Sequence, residues 1–324
     1  MNISDFWNAA YNSLIKGEAI IICFVVDQTK GSPGTSAARM FVDVKGKIRG
    51  TIGGGIMERR VIDRCVERLK KGVLFDPKLE VLEHRENSGS QSSGLICGGS
   101  QTNLELALTS EKHVGIAKEI SKAASDGTGS LIFSPNKMEL VEETVEKTVL
   151  TKYGKSNDDW KVMMPLSNHR RIVVFGGGHC GVALSNTMQR LDYDVSIVES
   201  REGLSTLKGL NKSVKRIITD FEKAEQYIKH KSNTIAIVMT YSMDSDILAL
   251  SGIIDKDFKW IGLMGSQSKI TRIKNKLREQ GFSDLQINKI VVSVGIGFNS
   301  DTPEEIAVSI AAKILHVREK GDTI

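Results

Sequence analysis

The chain has 324 residues, 40% hydrophobic and 26% charged, the composition of an ordinary globular protein with room for two cores. Its formal net charge of +5 is scattered among acids, with no basic block or interleaved aromatic platform, which excludes a nucleic-acid partner. No apolar run approaches the roughly 20 residues that span a bilayer, and the four cysteines (Cys23, Cys65, Cys97, Cys180) form no C-x-x-C pair, so a membrane span, a zinc ribbon and a disulfide framework are excluded and a cytoplasmic protein is expected.

The opening MNISDFWNAAYNSLIKG carries neither a basic n-region nor a small-residue cleavage site and does not read as a secretory signal. It reads as an amphipathic helix, with Ser4 at the N-cap, Phe6, Trp7, Ala10, Leu14 and Ile15 on one face, and Gly17 at its end. β-like runs follow at 19–26 (AIIICFVV), 38–44 (ARMFVDV) and 47–52 (KIRGTI), the last two joined as a hairpin by Lys45-Gly46. A helix over 56–70 comes next, with Met57, Val61, Cys65 and Leu69 facing inward. Beyond a polar loop lie a strand at 102–108 (TNLELAL), a helix over about 111–125, and strands at 129–134 (GSLIFS) and 137–143 (KMELVEE).

The polar, turn-rich TKYGKSNDDW (151–160) marks a linker, after which strand and helix alternate regularly. Strands fall at RIVVFG, VSIVES (195–200), VKRIIT (214–219), TIAIVMT (234–240), WIGLMG (260–265) and IVVSVG (290–295), each followed by a helix. Apolar strands alternating with amphipathic helices predict a parallel sheet covered on both faces. The expected fold class is α/β: a Rossmann-type doubly wound parallel sheet over 169–324, a linker over 151–168, and an α+β domain over 1–150. The final helix is the best marked, with a capping box at Thr302 and Glu305, Pro303 at its first position, and Ile306, Ile310 and Ile314 as its buried stripe.

Two glycine-rich strand-to-helix bends carry the candidate chemistry. In the later one, Gly176-Gly177-Gly178-His179-Cys180-Gly181 fits G-x-G-x-x-G between a strand and a helix. Such a bend brings backbone close to a phosphate and aims a helix N-terminus at it. Glu199, about 20 residues on, stands where an acid accepts bonds from a ribose hydroxyl, and Arg201 where a guanidinium meets a 2′-phosphate. The alternative is that the glycines only permit close strand–helix packing. Cys180 sits in the first helical turn, either activated by the dipole or merely small enough to fit. In GSQSKITR (265–272), Gly265, Ser266, Lys269 and Arg272 mark the start of a helix at the same sheet edge, readable as an anion clamp or as a solvated basic face. No His or Tyr-Lys arrangement suited to hydride transfer is visible.

The earlier bend, Gly53-Gly54-Gly55, is again a nest of N–H donors at a helix start, with Glu58 in the first turn. It has no acid-bearing strand behind it and is not a second dinucleotide fingerprint. HRENSGSQSSGLICGGSQT (84–102) is a long polar loop in which Cys97 precedes Gly98, outside any apolar run, so its thiol is expected to be approachable.

Taken together, KGSPGTSAARM, GTIGGGIMERR, SSGLICGGSQT, FGGGHCG, WIGLMGSQSKITR and PEEIAVSIAAKIL resemble the XdhC/CoxI family, accessory proteins that mature molybdenum hydroxylases such as xanthine dehydrogenase. The resemblance runs along almost the whole chain. It implies an XdhC domain followed by a Rossmann domain. It also implies a protein that binds molybdenum cofactor, shields it while a cysteine desulfurase installs its terminal sulfur, and passes it to the apo-hydroxylase. Two departures stand out: Thr240-Tyr241-Ser242-Met243-Asp244 replaces the Thr-His-x-His-like stretch of many relatives, and the SPGT turn lacks their arginine after proline.

Set beside that resemblance, a glycine nest suits the phosphate of the pterin, and a soft thiolate suits its metal. The expected cofactor-binding residues of the first half are Gly53, Gly54, Gly55, Glu58, His84, Cys97 and Gly98, with Cys97 as metal ligand. Those of the second half are Gly176, Gly178, His179, Gly181, Glu199, Arg201, Gly265, Ser266 and Lys269, for NAD(P) or another nucleotide. The leading reading is a maturation factor without turnover of its own. The second is an NAD(P)-dependent oxidoreductase using the Rossmann half, and the third a nucleotide-sensing scaffold that only recruits the hydroxylase. The symmetry common among acceptor hydroxylases also admits a homodimer, which no residue specifies.

Overall fold

The computed structural model describes residues 1–29, 32, 34–35, 38–83, 99–153, 159–167, 170–292, 294–297 and 300–319. The chain divides into two compact units, Met1–Asn168 and His169–Ile324. In chain order the first holds α1 (Ile3–Ile15), β1 (Ile20–Gln28), β2 (Arg39–Asp43), β3 (Ile48–Thr51), α2 (Gly55–Lys70), β4 (Lys78–Glu83), β5 (Ser100–Leu108), α3 (Ser110–Asp126), β6 (Ser130–Ser134), β7 (Lys137–Val141), β8 (Val149–Lys152) and β9 (Trp160–Pro165). These form a five-stranded sheet of order β3-β2-β1-β5-β4 and a four-stranded sheet of order β7-β6-β9-β8. All the recorded strand pairs in both sheets are antiparallel.

Strand β1 is apolar without interruption from Ile20 to Val26 because both of its faces are covered there. Ile20, Ile22, Phe24 and Val26 enter a core with α1, α3, β6 and β9, whereas Ile21, Cys23 and Val25 enter a second core beneath α2. The period of two that sorts them is that of any strand. Helix α1 docks through Phe6 and Trp7, and Phe6 lies 5.6 Å from the Phe24 ring. Its N-cap is Asn2, whose side chain accepts from Asp5 N at 2.7 Å, rather than Ser4 as expected. In the β2–β3 hairpin, Asp43 Oδ1 accepts from Lys45 N and Lys47 N, both at 2.9 Å, and Gly46 takes φ +79°.

The stretch expected as a linker over 151–168 belongs instead to the first unit. Strand β9 runs through it and buries Trp160, Val162 and Met164 in the core with α1 and α3. The polar TKYGKSNDDW reflects the reversal between β8 and β9, which pair with Thr151 opposite Lys161. Two other strands missed from sequence are β4 and β8.

The second unit holds β10 (Arg171–Phe175), α4 (His179–Arg190), β11 (Asp194–Glu199), β12 (Lys215–Ile218), β13 (Thr234–Val238), α5 (Met243–Ile253), β14 (Trp260–Leu263), α6 (Gln267–Glu279), α7 (Asp284–Ile287), β15 (Ile290–Val292) and α8 (Pro303–Glu319). Its six strands are all parallel, in the order β12-β11-β10-β13-β14-β15. Numbered within the unit this is 3-2-1-4-5-6, the Rossmann order, with its switch point between β10 and β13. Short 3-10 turns at Ser205–Gly209 and Phe221–Tyr227 replace the helices expected after β11 and β12. Thr302 Oγ1 accepts from Glu305 N at 3.2 Å while Glu305 Oε2 accepts from Thr302 N at 3.1 Å, completing the capping box of α8. No helix among the described residues is long and apolar enough to cross a membrane.

Beneath α2 the five-stranded sheet carries a buried polar row on β5: Gln101, Asn103 and Glu105. Glu105, fully buried, faces Arg64 at 2.6 Å, Arg68 at 3.1 Å and Lys78 at 3.5 Å. Removing one partner of such a cluster strands the others in a poorly hydrated place. Because Arg64 and Arg68 keep some access to water, Glu105→Gln is expected to destabilise the first unit by about 2 kcal/mol, measured as a lowered midpoint in urea denaturation.

Candidate functional site

The first bend is a run of left-handed backbone, with φ of +136°, +77° and +68° at Gly53, Gly54 and Gly55, which side-chain-bearing residues rarely adopt. Its amides are already engaged. Glu58 Oε2 accepts from Ile52 N at 2.8 Å, from Gly54 N at 3.1 Å and from Thr51 Oγ1 at 2.5 Å, while Gly53 N donates to Thr51 Oγ1 at 3.2 Å. The anion in this nest is the chain's own carboxylate, placed where the α2 dipole favours it. The bend is nonetheless open: a Cβ on Gly54 would meet nothing within 4 Å, Ile56 is 55% exposed, and no side chain caps α2. The first-turn amides of α2, which have no partner within the helix, remain for an incoming anion.

Gln101 holds this bend to the neighbouring loop. Its Nε2 donates to Ile52 O at 3.3 Å and Asn103 Oδ1 at 3.0 Å, and its Oε1 accepts from Ser32 Oγ at 3.1 Å and Gly34 N at 3.3 Å. A Cβ on Gly34 would fall 2.6 Å from both Gln101 Oε1 and Ile52 O, so only glycine fits there. His84, Cys97 and Gly98 lie outside the described residues. Among the described residues no group of three or more His, Cys, Asp or Glu is arranged to hold a metal ion. Cys65 is buried as expected, and its proximity, with burial, pushes the Cys23 thiol up.

The second bend follows β10. Gly176 takes φ +116°, and a Cβ there would lie 2.4 Å from Met239 O; a Cβ on Gly181 would lie 1.9 Å from Gly176 O. Both glycines are steric requirements of the close approach between bend, α4 and β13. Gly177 N donates to Glu199 Oε2 at 2.8 Å, and Thr206 Oγ1 donates to Gly177 O at 2.5 Å. Glu199 is buried and fully used: Oε1 accepts from Ser200 N, Arg201 N and Arg201 Nε at 2.9–3.0 Å, and Oε2 also accepts from Arg201 Nη2 at 3.0 Å. Burial alone would push its carboxyl up, but the bonds from Arg201 and Gly177 outweigh it and hold it below the ordinary range. The expected ribose acceptor therefore has no lone pair in reserve.

Arg201 lies 4.1 Å from the Tyr241 ring centroid, the contact of a cation with an aromatic face. In front of Gly178 a Cβ would meet nothing within 4 Å, no side chain caps α4, and His179 is exposed, so the first-turn amides of α4 face open space. Cys180 is half-buried, and burial raises its thiol pKa, which favours the reading of a residue small enough to fit over activation by the dipole.

The clamp expected at 265–272 is committed elsewhere. Lys269 Nζ is ion-paired with Oδ2 of the fully buried Asp246, whose Oδ1 accepts from Thr240 N at 2.9 Å and Thr240 Oγ1 at 2.6 Å. The Lys269 chain folds back over Gly265, where a Cβ would sit 3.1 Å from Lys269 Cδ. Ser266 caps α6 by accepting from Lys269 N at 3.3 Å, and Arg272 is exposed. Thus Gly176, Thr240, Asp246 and Lys269 form one tied lip along the carboxyl ends of β10, β13 and β14. Sequence reasoning missed Asp246 and Gln101. The signals were a lone acid at the head of the apolar run DILAL and polar residues alternating along β5.

Residues 172–314 match the model of the XdhC Rossmann domain, and residues 14–75 that of the XdhC and CoxI family. The chain is 24% identical over 300 residues, 92% of its length, to the Escherichia coli (strain K12) protein YqeB, described as uncharacterized, but spans only 43% of that relative. It is 22% identical to a Bacillus subtilis (strain 168) protein named as a probable subunit of xanthine dehydrogenase, over 95% of this chain and 96% of that one. A crystal structure titled as a xanthine dehydrogenase from Bacillus halodurans shares the fold, with a TM-score of 0.76 and 16% identity over 100% of this chain and 97% of that one.

Two outcomes follow from the second bend. Gly181→Ala is expected to destabilise the second unit by about 3 kcal/mol or more, since its methyl collides with backbone; thermal unfolding followed by circular dichroism measures this. Because its pKa is depressed on folding, Glu199 contributes stability that is present above about pH 4.3, the unfolded value, and is lost as the pH falls through the lower folded value. Urea titrations between pH 6 and 3 should show this loss in the parent and a flatter profile in Glu199→Gln.

Proposed function

Since the chain belongs to the XdhC and CoxI family, we propose that it is an accessory protein of a molybdenum hydroxylase such as xanthine dehydrogenase. In this reading it binds molybdenum cofactor in the cytoplasm, supports its sulfuration by a cysteine desulfurase and delivers it to the apo-hydroxylase. The observation that carries the proposal is the likeness to the Bacillus subtilis protein named for xanthine dehydrogenase, which runs over 95% of the chain. The first unit is the cofactor-handling part. The phosphate does not fit the amides of Ile52 and Gly54 as they stand, because Glu58 fills them. The open first turn of α2 suits it better, and Cys97 is the proposed soft ligand of the metal. When bound, the cofactor supplies the molybdenum centre; this chain's residues hold it and keep it from water.

The strand order and the open first turn of α4 favour a second element of the proposal, a nucleotide seated by its phosphate in the second unit. With Glu199 saturated, ribose recognition passes to Arg201 and Tyr241, which selects a 2′-phosphate over a free hydroxyl.

Protein purified from a molybdenum-replete host is expected to carry the pterin and molybdenum in near-equal amounts, by fluorescence of the oxidised pterin and elemental mass spectrometry. Cys97→Ser should lose the metal and most of the pterin; unchanged retention would remove Cys97 from the site. For the second unit, fluorescence titration should show NADPH binding more tightly than NADH, with no turnover of purine or aldehyde. Equal affinities would remove Arg201 from the role, and turnover would favour an oxidoreductase.

A further inference from the structure

The second unit has a cavity of about 520 Å³ at the amino-terminal edge of its parallel sheet, the edge opposite the Gly176 bend. Its lining takes in Arg170 just ahead of β10, Tyr193 just ahead of β11, Trp260 at the head of β14 and Arg318 near the end of α8. The volume lies within the range of pockets that hold small molecules. Nothing in the proposed function uses it.

Three features give the cavity a chemical preference. Its wall carries five cationic side chains against two carboxylates, and one of the two, Asp255, is paired with Lys256 at 3.2 Å. Partial withdrawal from water, and then the like charge of Arg318, hold Arg170 below the ordinary arginine range, although Tyr193 and Asp192 act in the opposite direction. Trp260 is 8% exposed, and its indole Nε1 is buried with no hydrogen-bond partner. A buried indole N–H left without an acceptor is unfavourable, and native proteins generally provide one. The Trp260 ring itself forms part of the cavity wall. Tyr193 and Phe258 add aromatic surface beside it.

We propose that this cavity is a second ligand site of the protein, taking a small planar organic anion. A flat body lies against the wall formed by Tyr193, Phe258 and Trp260, and a phosphate or carboxylate sits among Arg170, Lys289 and Arg318. The site is separate from the glycine bend in place and in chemistry, since it uses side-chain cations rather than helix-terminal amides.

The test is indole ¹H–¹⁵N spectroscopy of the full chain, which has three tryptophans, with the Trp260 signal assigned through Trp260→Phe. Adenosine 5′-monophosphate serves as the phosphate probe and 1-naphthoate as the carboxylate probe. At least one of them should move the Trp260 signal saturably, and Arg318→Gln, at an exposed position, should weaken that binding about tenfold by removing a charge-assisted contact. Inorganic phosphate should act only at far higher concentration. A Trp260 signal unmoved by millimolar amounts of either probe would overturn the proposal, as would equal affinity in Arg318→Gln. A response to inorganic phosphate as strong as to the organic probes would overturn the planar body. A nucleotide bound only at the Gly176 bend leaves this signal still, so the two sites are read independently.

Discussion

In each unit a carboxylate of the chain reaches back to a glycine bend and accepts its backbone N–H groups. Glu58 does this for Ile52 and Gly54, and Glu199 for Gly177. The bends need glycine for two reasons. Successive positive φ angles admit little else at 53–55, and at Gly176 and Gly181 a Cβ would strike backbone. The carboxylates then hold the freed amides in place. Amides that point at one spot attract negative charge, and when no ligand is there an internal acid is the nearest supply.

This bracing narrows where a ligand is received. At both bends the innermost amides are taken and the helix behind is uncapped, with open space over Gly54 and Gly178. The first turns of α2 and α4 are thus the positions left open for the proposed anionic groups. The fold explains the rest of the division. An antiparallel sheet with helices on both faces presents its bend beside the Gln101 hub, while a parallel sheet of order 3-2-1-4-5-6 opens a crevice where its strand order reverses. The proposed cofactor-handling role draws on the family, and the open helix starts at the bends are the positions proposed for it.

Several charges that look like ligand contacts in the sequence are internal ties. Lys269 neutralises buried Asp246, which in turn fixes the backbone of Thr240 beside Gly176. Arg201 closes on Glu199 and presents its other side to Tyr241. Arg64, Arg68 and Lys78 converge on Glu105. Buried charges of this kind stay only where partners meet them. They set the geometry of the sheet edges and of the α2 face, and they leave the helix-terminal amides of α2 and α4 uncapped.

The six strands after residue 170, the two glycine bends, the inward face of α2 and the capping box of α8 were legible along the chain, because each depends on neighbours within a few residues. The linker assignment failed because polarity marks a reversal as readily as a boundary, and only the pairing of β8 with β9 distinguishes them. Gln101, Asn103 and Glu105 look like the solvent face of a strand until α2 covers them. Likewise, whether Lys269 meets a ligand or Asp246, and whether Glu199 is free or saturated, depends on residues brought together across the sheet edge. By itself, the sequence determined where backbone bends and which helices begin there, since both are local consequences of missing side chains and capping. Only the tertiary structure decided which of the exposed donors and charges find internal partners, because partners such as Glu105 for Arg64 and Asp246 for Lys269 lie tens of residues away and meet only when the sheets close.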